Sequence, residues 1–93
     1  MNIIQAYPLE LVQTQYIENI PSNHKILKVD FQGNQMYVWI MIAPKTLDDR
    51  LFVRDIRIDI YKTGMQIIQD QKDLTYLDSL SKNGLEYHIF KVF

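Results

Sequence analysis

The chain has 93 residues, 47% of them hydrophobic and 23% charged, which suits one globular domain (residues 1–93) with a core of its own. Ten basic against eleven acidic residues leave a net charge of -1 with no Lys/Arg stripe, which argues against nucleic acid and anionic membranes as partners. The absence of cysteine excludes disulfides, thiolate nucleophiles and cysteine zinc sites, and it suits a reducing cytoplasm.

Met1 to Gln5 carries neither a basic n-region nor a long apolar run, so no signal peptide is expected. Ile3 to Tyr7 reads as a strand that Pro8 interrupts. Thr14 to Ile20 fits either a further strand or a helical turn, and Pro21-Ser22-Asn23 turns the chain. Lys25 to Phe31 puts Leu27, Val29 and Phe31 on one face. Gly33-Asn34 then joins it to Met36–Ile42, a strand apolar on both faces, and together they make a β-hairpin. That return strand is expected at the centre of a sheet, with Pro44 ending it. The run from Met36 to Pro44 is the longest apolar one and is too short to span a bilayer as a helix.

Val53 to Tyr61 gives the clearest pattern. Ile56, Ile58 and Ile60 alternate with Asp55, Arg57 and Asp59, the period-two signature of a half-buried strand. Thr63 to Asp73 is the expected place for a helical turn or long loop. Leu74–Leu80 and Leu85–Phe93 then flank Ser81-Lys82-Asn83-Gly84, a second hairpin. The expected fold is mostly β, a compact antiparallel sandwich or partly closed barrel with at most one short helix. An α+β sheet with a helix at residues 9–19 or 65–72 is the alternative.

Residues with chemical potential are sparse. His24 falls in a polar turn. His88 lies on the Glu86, His88, Phe90 face of the last strand, where hydrogen-bonded packing is the simpler role. Asp55 and Asp59, with Arg57 between them, read as a solvated, mutually paired face or as a charged surface that selects a partner. Phosphate-loop, dinucleotide and nucleophile-elbow motifs are absent from the sequence. Tyr37, Trp39, Tyr61, Tyr76, Tyr87 and Phe90 fall on strands without clustered basic residues, so packing is favoured over base stacking. Trp39 is expected in or near the core, beside Val29 or Ile58. Ile67-Ile68, in a loop, either plug the core or form a contact patch.

Several segments taken in order resemble a family of short phage-encoded proteins of unknown function. They are Tyr7-Pro8-Leu9, Gln15-Tyr16-Ile17 to Pro21, Ile26-Leu27-Lys28-Val29, Trp39, Arg57 to Gly64, and Tyr87-His88-Ile89-Phe90. The resemblance spans nearly the whole chain and implies a β-rich viral accessory product located in the host cytoplasm, and it implies no reaction. Where the family has Gly-Thr-Gly-His followed by Pro, this chain has Lys62-Thr63-Gly64-Met65-Gln66, so a role for that histidine does not carry over.

The sequence therefore points to a non-enzymatic protein acting by contact with a host protein, such as a defence or regulatory factor. No cofactor, metal, nucleic acid or membrane is expected. The expected contact residues are Arg57, Asp59, Tyr61, Lys62, Thr63, Gly64, Met65, Ile67 and Ile68, because the alternating strand makes a rigid platform and loops on platforms carry contacts. The other reading is a small-ligand, nucleotide-like binder. Homodimerisation would hide the sheet edges of so small a β protein.

Overall fold

A computed structural model describes residues 2–43 and 53–93. Within them lie seven strands: β1 (Ile3–Leu9), β2 (Thr14–Pro21), β3 (His24–Gln32), β4 (Gln35–Ile42), β5 (Val53–Lys62), β6 (Leu74–Lys82) and β7 (Leu85–Val92). All pair antiparallel, in a three-stranded sheet ordered β1-β4-β3 and a four-stranded sheet ordered β2-β5-β7-β6. This is the mostly β sandwich that the alternation implied. Thr14–Pro21 is a strand, and the α+β alternative falls away.

Period-two patterning fills the space between the sheets. Met36, Val38, Ile40 and Ile42 from β4 join Ile56, Ile58 and Ile60 from β5, with Val29 and Ile89, in one buried cluster. Burial of each such side chain favours folding by about 1.5–3 kcal/mol. The β4 strand is the central one of its sheet, as its apolar sequence suggests. Its outward residues Tyr37, Trp39 and Met41 are only half-buried. Trp39 is thus not a core residue: it points away from the sandwich, tilted against Tyr37 with a centroid distance of 5.8 Å, and Lys28 lies 4.7 Å over its ring.

Bulges reset two strands. In β3 the register shifts between Ile26 and Lys28, so Ile26 sits opposite Ile40 and packs on the core while Leu27 is 40% exposed. An unbroken strand would have placed Leu27 inward with Val29 and Phe31. In β6 the shift between Tyr76 and Asp78 sets Tyr76 opposite Phe90 on the outer face and lets Leu77 pack inward. A third irregularity lies between Ile17 and Ile20 of β2, where Asn19 takes φ 58° and its N–H donates to Asp55 Oδ1 at 3.1 Å.

Pro8 does not interrupt β1, which stays in register with β4 through Leu9. The strand is at a sheet edge, where a missing N–H need not break a ladder. Pro44, expected to end β4, lies outside the described residues. Among the described residues no helix is long and apolar enough to cross a membrane.

Candidate functional site

The alternation in β5 assigns Arg57, Asp59 and Tyr61 to the face opposite the isoleucines. That face does not meet solvent along its whole length. After Gly64, whose φ of +93° permits the sharp exit, residues 65–73 return across the outside of the four-stranded sheet. The segment closes with a 3-10 turn, Gln71–Asp73, in which Asp70 accepts from the Lys72 N–H. Asp59 is therefore fully buried and Tyr61 only 1% exposed, in place of the solvated face that strand alternation alone suggests.

Beneath the segment lies a saturated polar network. Arg57 forks onto Asp59, Nε to Oδ1 at 3.0 Å and Nη2 to Oδ2 at 3.0 Å. The Tyr61 hydroxyl reaches Asp59 Oδ2 at 2.8 Å and the Gln69 amide oxygen at 2.7 Å, a proton it can give to only one of them at a time. Burial works to raise the Asp59 pKa, but hydrogen bonds from Arg57, Tyr61 and Thr14 and the charge of Arg57 outweigh it, and the net direction is down. The Tyr61 pKa is raised, first by burial and then by the adjacent carboxylate. This network links the start of β2, the middle of β5 and the returning segment. Its chemistry is anchoring: among the described residues it has no unsatisfied buried side-chain atom.

Between the returning segment and the β6–β7 pair runs a groove of about 350 Å³, lined by Ile67, Gln69, Gln71, Leu74, Tyr76 and Phe90. Phe90 forms its floor through edge contacts with Tyr61 at 6.1 Å and Tyr76 at 5.6 Å. Among the described residues no charged side chain lines it. Ile68, beside Ile67 in the chain, is 87% exposed, so it does not plug the core.

The predicted contact residues thus divide. Ile67 lines the groove and Ile68 faces solvent. Met65 turns instead to a smaller recess of about 160 Å³, with Leu11, Val12 and Lys62. Thr63 belongs to a third cluster, where its hydroxyl lies 2.7 Å from His88 Nε2 and donates to Glu86 Oε1 at 3.1 Å. His88 Nε2 is also 3.1 Å from Glu86. Carboxylate and hydroxyl meet the same ring nitrogen, so the acid does not brace the imidazole from its far side as a triad would require. Arg57 is half-buried, and Asp59 and Tyr61 support the surface from below without presenting to it.

Sequence reasoning places Gln69 on the polar rim of the Ile67-Ile68 patch, with Lys62, Gln66 and Asp70; it misses Gln71 and Leu74, and it reads Tyr76 and Phe90 as packing residues only. Counting pairs from the Asn83-Gly84 turn would set Leu77 opposite Phe90; only the bulge brings Tyr76 there.

The chain belongs to the family described as a domain of unknown function, DUF7352, whose model matches residues 1–93. No curated protein and no solved structure matches it.

Proposed function

We propose that this DUF7352 protein is a non-enzymatic binding module that acts by protein–protein contact through the outer face of its four-stranded sheet. The observation that carries this reading is the uncharged groove lined by Ile67, Tyr76 and Phe90, with Ile68 left 87% exposed on a segment tied down through Gln69 and Tyr61. Apolar side chains held out by an anchored segment resemble the apolar centre of a protein interface, and polar neighbours such as Gln66 and Asp70 supply the rim. The likeness to short phage-encoded proteins makes the favoured partner a host protein, a defence or regulatory factor that the module would inhibit in the host cytoplasm.

The test is a double replacement, Ile67→Ser with Ile68→Ser. Capture from bacterial lysate identifies a partner, and calorimetry with the purified partner compares variant and parent. Loss of binding at unchanged unfolding midpoint supports the reading. Unaltered affinity would sink it.

The groove volume favours one second reading, a small-ligand site, since 350 Å³ falls within the range of small-molecule pockets. Among the described residues its lining offers two amides and a phenol but no cation for a phosphate, so an uncharged ring is a better match than a nucleotide. Calorimetric titration with nucleosides and nucleotides separates the two classes.

A further inference from the structure

Among the described residues four strands end the two sheets: β1 and β3 in one, β2 and β6 in the other. Three of them carry features that deter further pairing. A register shift interrupts β2, which also holds Glu18 and ends on Pro21. Strand β3 has its shift between Ile26 and Lys28 and bears Lys25, Lys28 and Asp30. Strand β6 shifts between Tyr76 and Asp78, ends on Lys82, and meets the β3 end, where Lys82 donates to the Gly33 carbonyl. Bulges, charges and covered edges are the devices by which sheet proteins avoid edge-to-edge association.

Strand β1 is different. Its register with β4 runs unbroken from Ile3 to Leu9, and Ile3-Ile4-Gln5-Ala6-Tyr7 holds no charge and no proline. Ile3 is 48% exposed and Ile4 61% exposed. Among the described residues Pro8 is the only deterrent on this edge, and it lies beyond those five residues.

We infer that β1 is a self-association edge, pairing antiparallel with β1 of a second copy to join two three-stranded sheets into one continuous sheet. The occupant is a second copy because the segment is self-complementary about Gln5. An antiparallel register centred there sets Gln5 against its own equivalent, Ile4 against Ala6, and Ile3 against Tyr7. On one face a large side chain meets a small one. On the other, Ile3, exposed in the monomer, gains the Tyr7 ring of the second copy. With no charge on the strand, nothing repels its own equivalent, and nothing selects a charged foreign strand. Pro8 limits the pairing to the five residues before it. The inference is independent of the proposed contact on the other sheet, and either can fail alone.

Sedimentation equilibrium of the full chain over a micromolar-to-submillimolar series tests it, alongside Gln5→Lys. Gln5 is exposed, so the variant keeps its monomer fold, checked by thermal unfolding at the lowest concentration. The expected result is a wild-type mass rising to twice the monomer with concentration and a several-fold weaker association for Gln5→Lys, partly restored by salt that screens the opposed charges. Hydrogen exchange should show amides of residues 3–7 slowing as concentration rises. A wild-type chain that stays monomeric throughout overturns the inference. So does a dimer that forms equally well with Gln5→Lys and leaves the β1 amides unprotected.

Discussion

Arg57 holds both carboxylate oxygens of Asp59 at 3.0 Å, although the aspartate is fully buried while the arginine side chain is 28% exposed. The two partners therefore do not contribute alike. Arg57→Ala would leave a buried carboxylate with its counter-charge gone, a change that costs about 3–5 kcal/mol in comparable pairs. Asp59→Asn keeps an acceptor for Tyr61 and leaves a guanidinium that water can reach, so a loss of about 1–3 kcal/mol is expected. Urea unfolding of both variants checks the order. Equal losses would mean that the pair is not the anchor of the returning segment.

The same network sets a pH dependence. The folded Asp59 pKa lies below its ordinary value of 3.8, so the unfolded chain takes up the proton at a higher pH than the folded one. Asp59 thus stabilises the fold fully above the unfolded value, and this stabilisation fades as pH falls through the folded one. Tyr61 has the opposite sense. Its folded pKa is above the ordinary 10.0, so the folded state holds the phenol proton longer. That stabilisation is complete below the unfolded value and is lost as pH rises through the folded one. Unfolding midpoints measured across acid and alkaline series should fall at both ends. Asp59→Asn should flatten the acid limb, and Tyr61→Phe the alkaline one.

Trp39 is the residue on which composition misleads. Tryptophan in an apolar strand suggests core, but β4 is the middle of a sheet with one face to the partner sheet and the other to solvent. Val38 and Ile40 take the inner face at 0% exposure, and Trp39 takes the other. Trp39→Ala should therefore cost about 1–2 kcal/mol, below the 3–5 typical of emptying a core aromatic site. Acrylamide should quench its fluorescence readily in the native state.

What was legible in the sequence is what repeats at short range. Alternation at Ile56, Ile58 and Ile60 identifies β5 and its inner face, and the two Gly-containing turns locate both hairpins. What was not legible depends on single-residue insertions and on segments returning from afar. One extra residue in β3 exchanges Leu27 for Ile26 in the core. Another, in β6, brings Tyr76 to Phe90 and so builds half the groove. Asp59 reads as a surface acid because its cover, Gln69 and its neighbours, lies ten residues on in an aperiodic stretch. Local pattern carries no information about what folds back over it.

Ile68 offers the cleanest separation of contact from core. At 87% exposed it has little burial to lose, so Ile68→Ser should change stability by less than about 0.5 kcal/mol. Ile67, at 40% exposed and lining the groove, should cost about 1 kcal/mol when replaced by Ser, because part of its surface is already out of water. Thermal unfolding of the single variants distinguishes them. A large loss at Ile68 would return it to the core and remove it from the contact surface.

The β6–β7 turn gives a test of backbone strain alone. Asn83 has φ 53° and Gly84 φ 77°, positive at both central positions, as the type I′ hairpin turn requires. A Cβ added at Gly84 would meet nothing within 4 Å, so steric crowding plays no part. Gly84→Ala should then cost about 1–2 kcal/mol, the price of forcing a side chain into the left-handed region. Gly84→Asn should cost less, because asparagine tolerates that region through local hydrogen bonds of its short side chain. The turn sets the β6–β7 pairing as far as Asp78 and Ile89, next to the bulge that brings Tyr76 to Phe90, so a strained turn also tests the binding surface. If Gly84→Ala weakens partner binding while Gly84→Asn preserves it, register matters to the contact. If both bind as the parent does, the strands hold their register without the turn.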